Sequence, residues 1–127
     1  MEVKAKITES EIRKELSKFK STKEYFLHRL SDNWTLHLTE GCFFIREMAN
    51  AYWLFDLILS YQGTKLVSGM QHQEWKIRSL KSGMLQISCK SLDNEEAIIL
   101  VIKKKKFPLD EISIYVEGNI ARLPTEG

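Results

Sequence analysis

Cysteine and proline are both scarce in this sequence, with two of each among 127 residues. The two cysteines, Cys42 and Cys89, are too few for a disulfide framework and too far apart for a local metal clamp. The first residues, Met1–Lys6, lack the apolar run of a secretory signal peptide. These absences are typical of a protein from a reducing compartment, and we therefore expect a cytoplasmic location.

An excess of one charge sign is also missing. Nineteen basic residues face seventeen acidic ones, which leaves a net charge of +2. This balance gives no general attraction to nucleic acid or to a membrane surface, so neither partner is expected. Hydrophobic residues make up 43% and charged residues 28%, which is typical of a soluble globular protein. The length predicts one domain spanning residues 1–127.

Uninterrupted apolar runs long enough to cross a membrane are absent as well. The only window of sufficient length, Thr39–Gln62, contains Arg46, Glu47 and Asp56. A charged side chain near the centre of a bilayer costs about 2.5–3.5 kcal/mol on insertion scales. The sequence therefore predicts a buried helix in this window and no membrane span.

The common catalytic and cofactor motifs are missing too. There is no Gly-x-Gly-x-x-Gly, no Walker loop, no Gly-x-Ser-x-Gly and no His-Glu-x-x-His. The three histidines, His28, His37 and His72, do not show the spacing of a metal site on one helix. We expect no metal and no cofactor.

The segment around which the chain is organised is Thr39–Gln62. Thr39 is a plausible N-cap, and Gly63 can end the helix in a left-handed conformation. A continuous helix of roughly 22 residues would be about 33 Å long, although Asn50 or its short neighbours could divide it into two. Apolar residues cover most of its circumference, which predicts burial on two sides, by the chain itself or by a partner.

Hydrophobic periodicity predicts the remaining elements. A capping box at Thr8–Glu11 predicts a helix over Glu9–Phe19. Tyr25–Leu30 is a strand or irregular, and Trp34–Leu38 is a short strand with Trp34, Leu36 and Leu38 on one face. Four further strands are predicted over Gln73–Leu80, Met84–Ser91, Ala97–Ile102 and Ile112–Glu117. Because the third of these is continuously apolar, we expect it to be central or covered on both faces.

The fold class that follows is α+β. An N-terminal helix and one long, largely buried helix are expected to pack on an antiparallel sheet of four to five strands, which ends in a C-terminal meander.

One acidic residue and one thiol are candidates for chemistry. Asp56 is the acid in the apolar half of the long helix, where a buried carboxylate could serve as a general acid or base. The simpler interpretation is a boundary residue bonded to a tyrosine, an indole or a basic side chain. Cys42 lies in the first turn of the helix, a position that lowers thiol pKa values, but burial as a small apolar side chain is the commoner state.

Two groups of residues are candidates for binding. Tyr52, Trp53, Leu57 and Tyr61 could form an aromatic and aliphatic interface, or could be buried under the N-terminal helix. The run Lys103, Lys104, Lys105 and Lys106 could bind phosphate, or could serve as a solvated strand end that prevents edge-to-edge aggregation.

A resemblance rests on three stretches: Leu38–Gly41, Ala51–Gln62, and Phe107–Ile112 together with Leu123-Pro124. These stretches resemble the DUF6876 family, a group of small bacterial and phage proteins of unknown function. The likeness runs from about Tyr25 to the C-terminus and leaves out the N-terminal helix. It implies a shared fold and an origin on bacterial or mobile DNA, and it implies no activity.

Three functions remain as predictions. The first is a non-enzymatic interaction protein that forms a homodimer through the Trp53 and Leu57 side of the long helix. The second is a small hydrolase or transferase that uses Asp56 in a pocket between sheet and helix. The third is a weak nucleic-acid binder that uses Lys103–Lys106.

Overall fold

The computed structural model describes residues 8–31, 34–67, 69–91, 96–103 and 107–126. Over these residues the chain forms three helices and seven strands. In chain order they are α1 (Glu9–Leu16), β1 (Phe26–Ser31), β2 (Trp34–Leu38), α2 (Glu40–Met48), α3 (Tyr52–Tyr61), β3 (His72–Ser79), β4 (Met84–Lys90), β5 (Glu96–Lys103), β6 (Glu111–Glu117) and β7 (Ile120–Arg122).

The described strands form one sheet in the order β1-β2-β7-β6-β3-β4-β5. Neighbouring strands are antiparallel except β2 and β7, which are parallel. The α+β class is therefore confirmed, but the prediction of four to five antiparallel strands is wrong. The sheet has seven strands and is mixed because the three-residue β7, too short to recognise by periodicity, joins the N-terminal hairpin to the meander.

The core lies between one face of the sheet and the helices. Alternate residues of β3, β4 and β6 are buried, and their neighbours along the strand are partly exposed. Trp75, Ile77, Ile87 and Ile114 are among the fully buried side chains. The change from a helical period to a period of two after residue 72 thus predicted the inward face of these strands correctly.

The predicted long helix is two helices. Asn50 has φ of 52°, a left-handed conformation that ends α2 before α3 begins at Tyr52. The single continuous helix is wrong, and the alternative of a break at Asn50 is confirmed. Asparagine is one of the few residues other than glycine that adopts this conformation readily. The apolar pattern runs through the break because both helices face the same core.

The two ends of this helical segment differ from each other. Thr39 caps α2 as predicted, its hydroxyl accepting a bond from the Cys42 N–H at 3.3 Å. Gly63 does not adopt the expected left-handed conformation, because Gln62 ends α3 in a right-handed one. Glycine is needed there for space, since a Cβ would lie 2.7 Å from the Trp34 ring.

The strand predicted to be central lies at the edge of the sheet. β5 pairs with β4 on one side only, and no other described strand pairs with it. Ile98 is buried, whereas Ile99 and Val101 are 57% and 53% exposed on the open face. The prediction of cover on both faces is therefore wrong for this part of the sheet.

The N-terminal elements largely follow the sequence. The capping box is present: the Glu11 N–H donates to the Thr8 hydroxyl, and Glu11 bonds to the Thr8 N–H. α1 is shorter than predicted, ending at Leu16, and it buries Ile12. The segment classified as strand or irregular is strand β1. Trp34 does not share the burial of Leu36 and Leu38, being 42% exposed.

Candidate functional site

Asp56, the acidic candidate, contacts a histidine. Its side chain on α3 is about half exposed, and its Oδ1 lies 2.7 Å from Nε2 of His28 on β1. His28 is only 4% exposed and lies under the rings of Tyr52 and Phe55, with centroids 6.0 and 5.8 Å away. The structure thus brings the predicted carboxylate to one of the three histidines.

Arg46 fixes the protonation pattern of this pair. Its Nη1 lies 3.1 Å from Nδ1 of His28 and 3.3 Å from the carbonyl oxygen of Leu27. A guanidinium has donors only, so Nδ1 of His28 must accept its bond. The imidazole proton is therefore on Nε2, where it is donated to Asp56.

This arrangement argues against general acid–base catalysis by His28. A catalytic base needs one ring nitrogen that faces the substrate while the other is oriented by a carboxylate. Here the nitrogen opposite Asp56 already accepts from Arg46, and the ring is buried. The geometry instead ties β1 to α2 and α3.

The same arginine connects to a second pair on the surface. Its Nε donates to Oε2 of Glu47 at 3.0 Å, and the Tyr52 hydroxyl donates to the same oxygen in a short hydrogen bond. Its guanidinium also lies 4.7 Å from the centre of the Tyr52 ring. The bond from Tyr52 is the main reason why the pKa of Glu47 lies below its usual range, and it raises the pKa of Tyr52.

The predicted interface residues differ in their exposure. Tyr52 is 45% exposed, but Trp53, Leu57 and Tyr61 are partly buried against the core of their own chain. The ring of Trp53 meets Phe107 edge-on with centroids 5.9 Å apart, and Tyr61 lies 6.0 Å from the ring of Trp75. The sequence predicted that this helical segment is buried on two sides. The second side is therefore buried partly by other residues of the same chain.

Both cysteines, including the candidate Cys42, are buried and weakly acidic. Cys42 and Cys89 are free and fully inaccessible. Burial raises the pKa of Cys42 well above its usual range, and it raises the pKa of Cys89 to about 12. The hydrogen bond from Thr39 at the start of α2 opposes this effect but is outweighed by it. Packing, not nucleophilic chemistry, accounts for both side chains.

A buried carboxylate that sequence reasoning missed lies at the start of α2. Oε1 of Glu126 accepts from the Thr39 hydroxyl at 2.6 Å and from the Leu123 N–H at 3.0 Å. Oε2 accepts from the Gly41 N–H at 3.0 Å. The positive end of a helix favours such an anion. No spacing in the sequence relates the two segments, so nothing indicated this contact.

A second missed cluster lies on the open face of the sheet. Glu117 accepts from Nε of Arg122 at 2.6 Å and contacts Nδ1 of His72 at 3.0 Å. Arg122, then His72, holds the pKa of Glu117 below its usual range. Tyr115 lies beneath both partners, 5.0 Å from the guanidinium carbon and 4.9 Å from the imidazole centre.

The basic run is described only in part. Lys103 is exposed at the end of β5, and Lys104, Lys105 and Lys106 lie outside the described residues. Within the described part of the chain, no three His, Cys, Asp or Glu side chains are grouped so that they could hold a metal ion.

None of the helices in the described ranges combines the length and apolar character needed to cross a membrane.

Comparisons with curated proteins and with solved structures found no match. One family model does match, described as a family of unknown function (DUF6876), and it covers residues 10–127. The match extends further toward the N-terminus than the resemblance noted above and includes most of α1. The chain therefore belongs to the DUF6876 family of unknown function.

Proposed function

We propose that this protein is a non-enzymatic interaction protein and that its first partner is a second copy of itself, paired along β5. The observation that carries the proposal is the exposure of Ile99 and Val101 on an edge strand. Natural proteins normally protect edge strands with charges, bulges or covering elements, because a bare edge pairs with another chain.

The backbone of β5 is oriented for such pairing. The bond from the Leu80 N–H to the Met84 carbonyl, 2.8 Å long, sets the alternation of hydrogen bonds between β3 and β4. Carried across β4, the alternation directs the N–H and C=O groups of Ile99 and Val101 away from β4. These are the groups that a second strand would bind.

The opposite edge of the sheet is better protected. On β1 the carbonyl of Leu27 already accepts a bond from Arg46, and a bonded edge group opposes strand addition. Both edge strands have a register irregularity, so this feature does not distinguish them. The surface formed by Trp53 and Leu57 is also less suitable, since both side chains pack within their own chain.

A two-fold axis that passes between the Leu100 residues of the two copies, perpendicular to the sheet, gives a self-complementary register. Antiparallel pairing about this residue places Ile99 opposite Val101 of the second copy, and Val101 opposite Ile99, on the open face. Such β-branched pairs stabilise a sheet. Glu96 begins β5 and Lys103 ends it, so the pairing also brings opposite charges to each end of the interface.

The test is the oligomeric state of matched variants in sedimentation experiments. We expect the unmodified protein to be a dimer and Ile99→Lys/Val101→Lys to be a folded monomer, because the pairing would place a lysine of one copy directly opposite a lysine of the other, and like charges opposite each other destabilise a strand pair. Leu27→Lys is the matched control: Leu27 is 48% exposed on the other edge strand, and the control should stay dimeric. A monomeric unmodified protein, or a dimer broken only by the control, would contradict the proposal.

The other two functions are less well supported by the geometry. A hydrolase or transferase in which Asp56 acts together with a histidine would need a free ring nitrogen on His28, which Arg46 occupies. Nucleic-acid binding through Lys103–Lys106 rests on a charge run in a chain of net charge +2. A cytoplasmic location and a bacterial or phage origin complete the proposal, supported by the two unpaired thiols and by the family resemblance respectively.

A further inference from the structure

A half-open cleft of about 340 Å³ lies between β2, the end of α3 and the turn after β6. Its wall and floor include Trp34, Val67 and Met70, and its polar groups include Gln62, Gln73 and Asn119. None of the lining residues in the described part of the chain is ionisable. A charged ligand would therefore lose its hydration without gaining a counter-charge, which is costly.

Two amides form a fixed polar pair inside the cleft. Gln62 and Gln73 exchange reciprocal hydrogen bonds, each 2.9 Å long. Their orientation is set by their neighbours, because the Gln62 amide nitrogen donates to the Ile58 carbonyl at 3.0 Å and the Trp75 indole donates to Oε1 of Gln73 at 2.8 Å. The pair is thus a rigid feature of the cleft.

The side-chain amide of Gln73 has a second N–H donor. Its side chain is 3% exposed, and its bond to Gln62 uses one of the two amide hydrogens on Nε2. No acceptor for the second hydrogen lies among the residues that the structure describes. A buried donor of this kind is satisfied by a ligand acceptor or by water.

Trp34 supplies an aromatic wall. The tip of its indole lies so close to Gly63 that a Cβ there would come within 2.7 Å of the ring. One edge of the ring thus packs against Gly63, and Trp34, which lines the cleft, is 42% exposed. An exposed indole is a stacking surface for a planar ligand.

We propose that this cleft binds an uncharged planar ring that carries a carboxamide or an equivalent donor–acceptor edge. The ring stacks on Trp34, and its carbonyl oxygen accepts from the Gln73 amide. The inference does not depend on the proposed dimer, since the cleft lies at the β2 side of the sheet and β5 forms the opposite edge.

Three probes of nearly equal shape separate charge from fit: benzamide, benzoate and benzamidinium. Titration of the ¹⁵N-labelled protein should show benzamide alone shifting the side-chain signals of Gln73 and Trp34. Equal binding of benzoate or benzamidinium, or no shift with benzamide up to its solubility limit, would overturn the proposal.

Substitutions test whether benzamide binds in the cleft. Trp34→Ala should weaken benzamide binding about tenfold, within the range expected for loss of one ring-stacking contact, whereas Trp34→Phe should largely retain it. Tyr25→Ala removes an aromatic side chain that is 54% exposed and does not line the cleft, and it should leave the affinity unchanged. Equal affinity in Trp34→Ala and Tyr25→Ala, with both proteins folded, would show that the ring does not bind at Trp34.

Discussion

Arg46 is the residue on which the contacts at the junction of β1, α2 and α3 depend. One end of its guanidinium bonds to His28 and to the Leu27 carbonyl, and Nε bonds to Glu47. An arginine can serve this many acceptors because its planar group presents five donors and stays charged. The sequence shows Arg46 only as one of the charged residues in the helical segment, and the packing of β1 reveals its partners.

Tyr52 and Glu47 give a prediction at this scale. Tyr52→Phe should raise the pKa of Glu47 toward its ordinary value, though not fully, because Arg46 still donates to the carboxylate. The expected readout is an NMR titration of the Glu47 side chain. Tyr25→Phe, an exposed tyrosine elsewhere, is the control and should leave that titration unchanged.

The sign of the pH dependence follows from the two shifts. The pKa of Glu47 is lowered, so its contribution to stability is present above the ordinary glutamate pKa and is lost as pH falls through the lowered value. The pKa of Tyr52 is raised, so its contribution is present below the ordinary tyrosine pKa and is lost as pH rises through the raised value. Tyr52→Phe should flatten both ends of the stability profile. An unchanged profile together with an unchanged Glu47 titration would contradict the assignment.

Among the elements, the break between α2 and α3 shows what periodicity can and cannot predict. Apolar residues occur on both sides of the break, and Ile45 of α2 and Phe55 of α3 are both buried. An apolar run alone therefore does not mark the break. The break is set by the backbone at Asn50 and by Ala51, which begins α3 with no side-chain cap. Sequence patterns indicate where asparagine allows a turn but not whether the chain makes one there.

Substitution at Asn50 tests the left-handed turn. Asn50→Gly should leave stability unchanged or slightly raised, whereas Asn50→Val should lower the free energy of unfolding by about 1–2 kcal/mol, because a β-branched side chain is strained in a left-handed conformation that asparagine tolerates. Asn50 is exposed, so lost packing does not confuse the comparison. Urea denaturation of both variants gives the difference. Equal stability of the glycine and valine variants would mean that the turn is not strained.

The order of the strands within the sheet was harder to predict than the location of the strands along the chain. The period of two identified β3, β4 and β6 and their inward faces, because each lies between two neighbours with one face on the core. For β5 the apolar run suggested a central strand, yet the exposed Ile99 and Val101 are at an edge. A continuous run of apolar residues indicates that a strand is removed from water on both faces. Either the core of the same chain or an interface with another chain can bury those residues.

In the whole molecule, β2, which leads into α2, pairs in parallel with β7 near the C-terminus. The Thr39 N–H donates to the Ala121 carbonyl at 3.0 Å, and the His37 N–H to that of Asn119 at 2.7 Å. This parallel pairing brings Leu123 and Glu126 over the start of α2. Gly41 is required at the contact, since a Cβ there would lie 2.5 Å from Cδ1 of Leu123 and 2.7 Å from Oε1 of Glu126. Contacts between segments about 85 residues apart leave no periodic trace in a single sequence.

Glu126 should therefore contribute to global stability. Glu126→Ala removes the acceptor of three hydrogen bonds and leaves the Thr39 hydroxyl and the Gly41 and Leu123 N–H groups without it. Hydrogen bonds to charged groups make a net contribution to stability of about 1.5–3 kcal/mol each, and water will re-solvate part of the site. The expected loss in the free energy of unfolding is on the order of 2–3 kcal/mol, measured from urea midpoints at neutral pH.

Two further variants decide between a local and a global role for this contact. Glu126→Gln keeps one acceptor and replaces the other oxygen with an amide that faces the donors, so it should lose an intermediate amount. Glu24→Ala removes an exposed carboxylate and should change little. If Glu126→Ala unfolds at the same urea concentration as Glu24→Ala, the bonds of Glu126 are not what holds the C-terminal segment on the start of α2. If the order is Glu24→Ala, Glu126→Gln, Glu126→Ala, with no change in the slope of the transition, the charged cap stabilises the molecule as one cooperative unit.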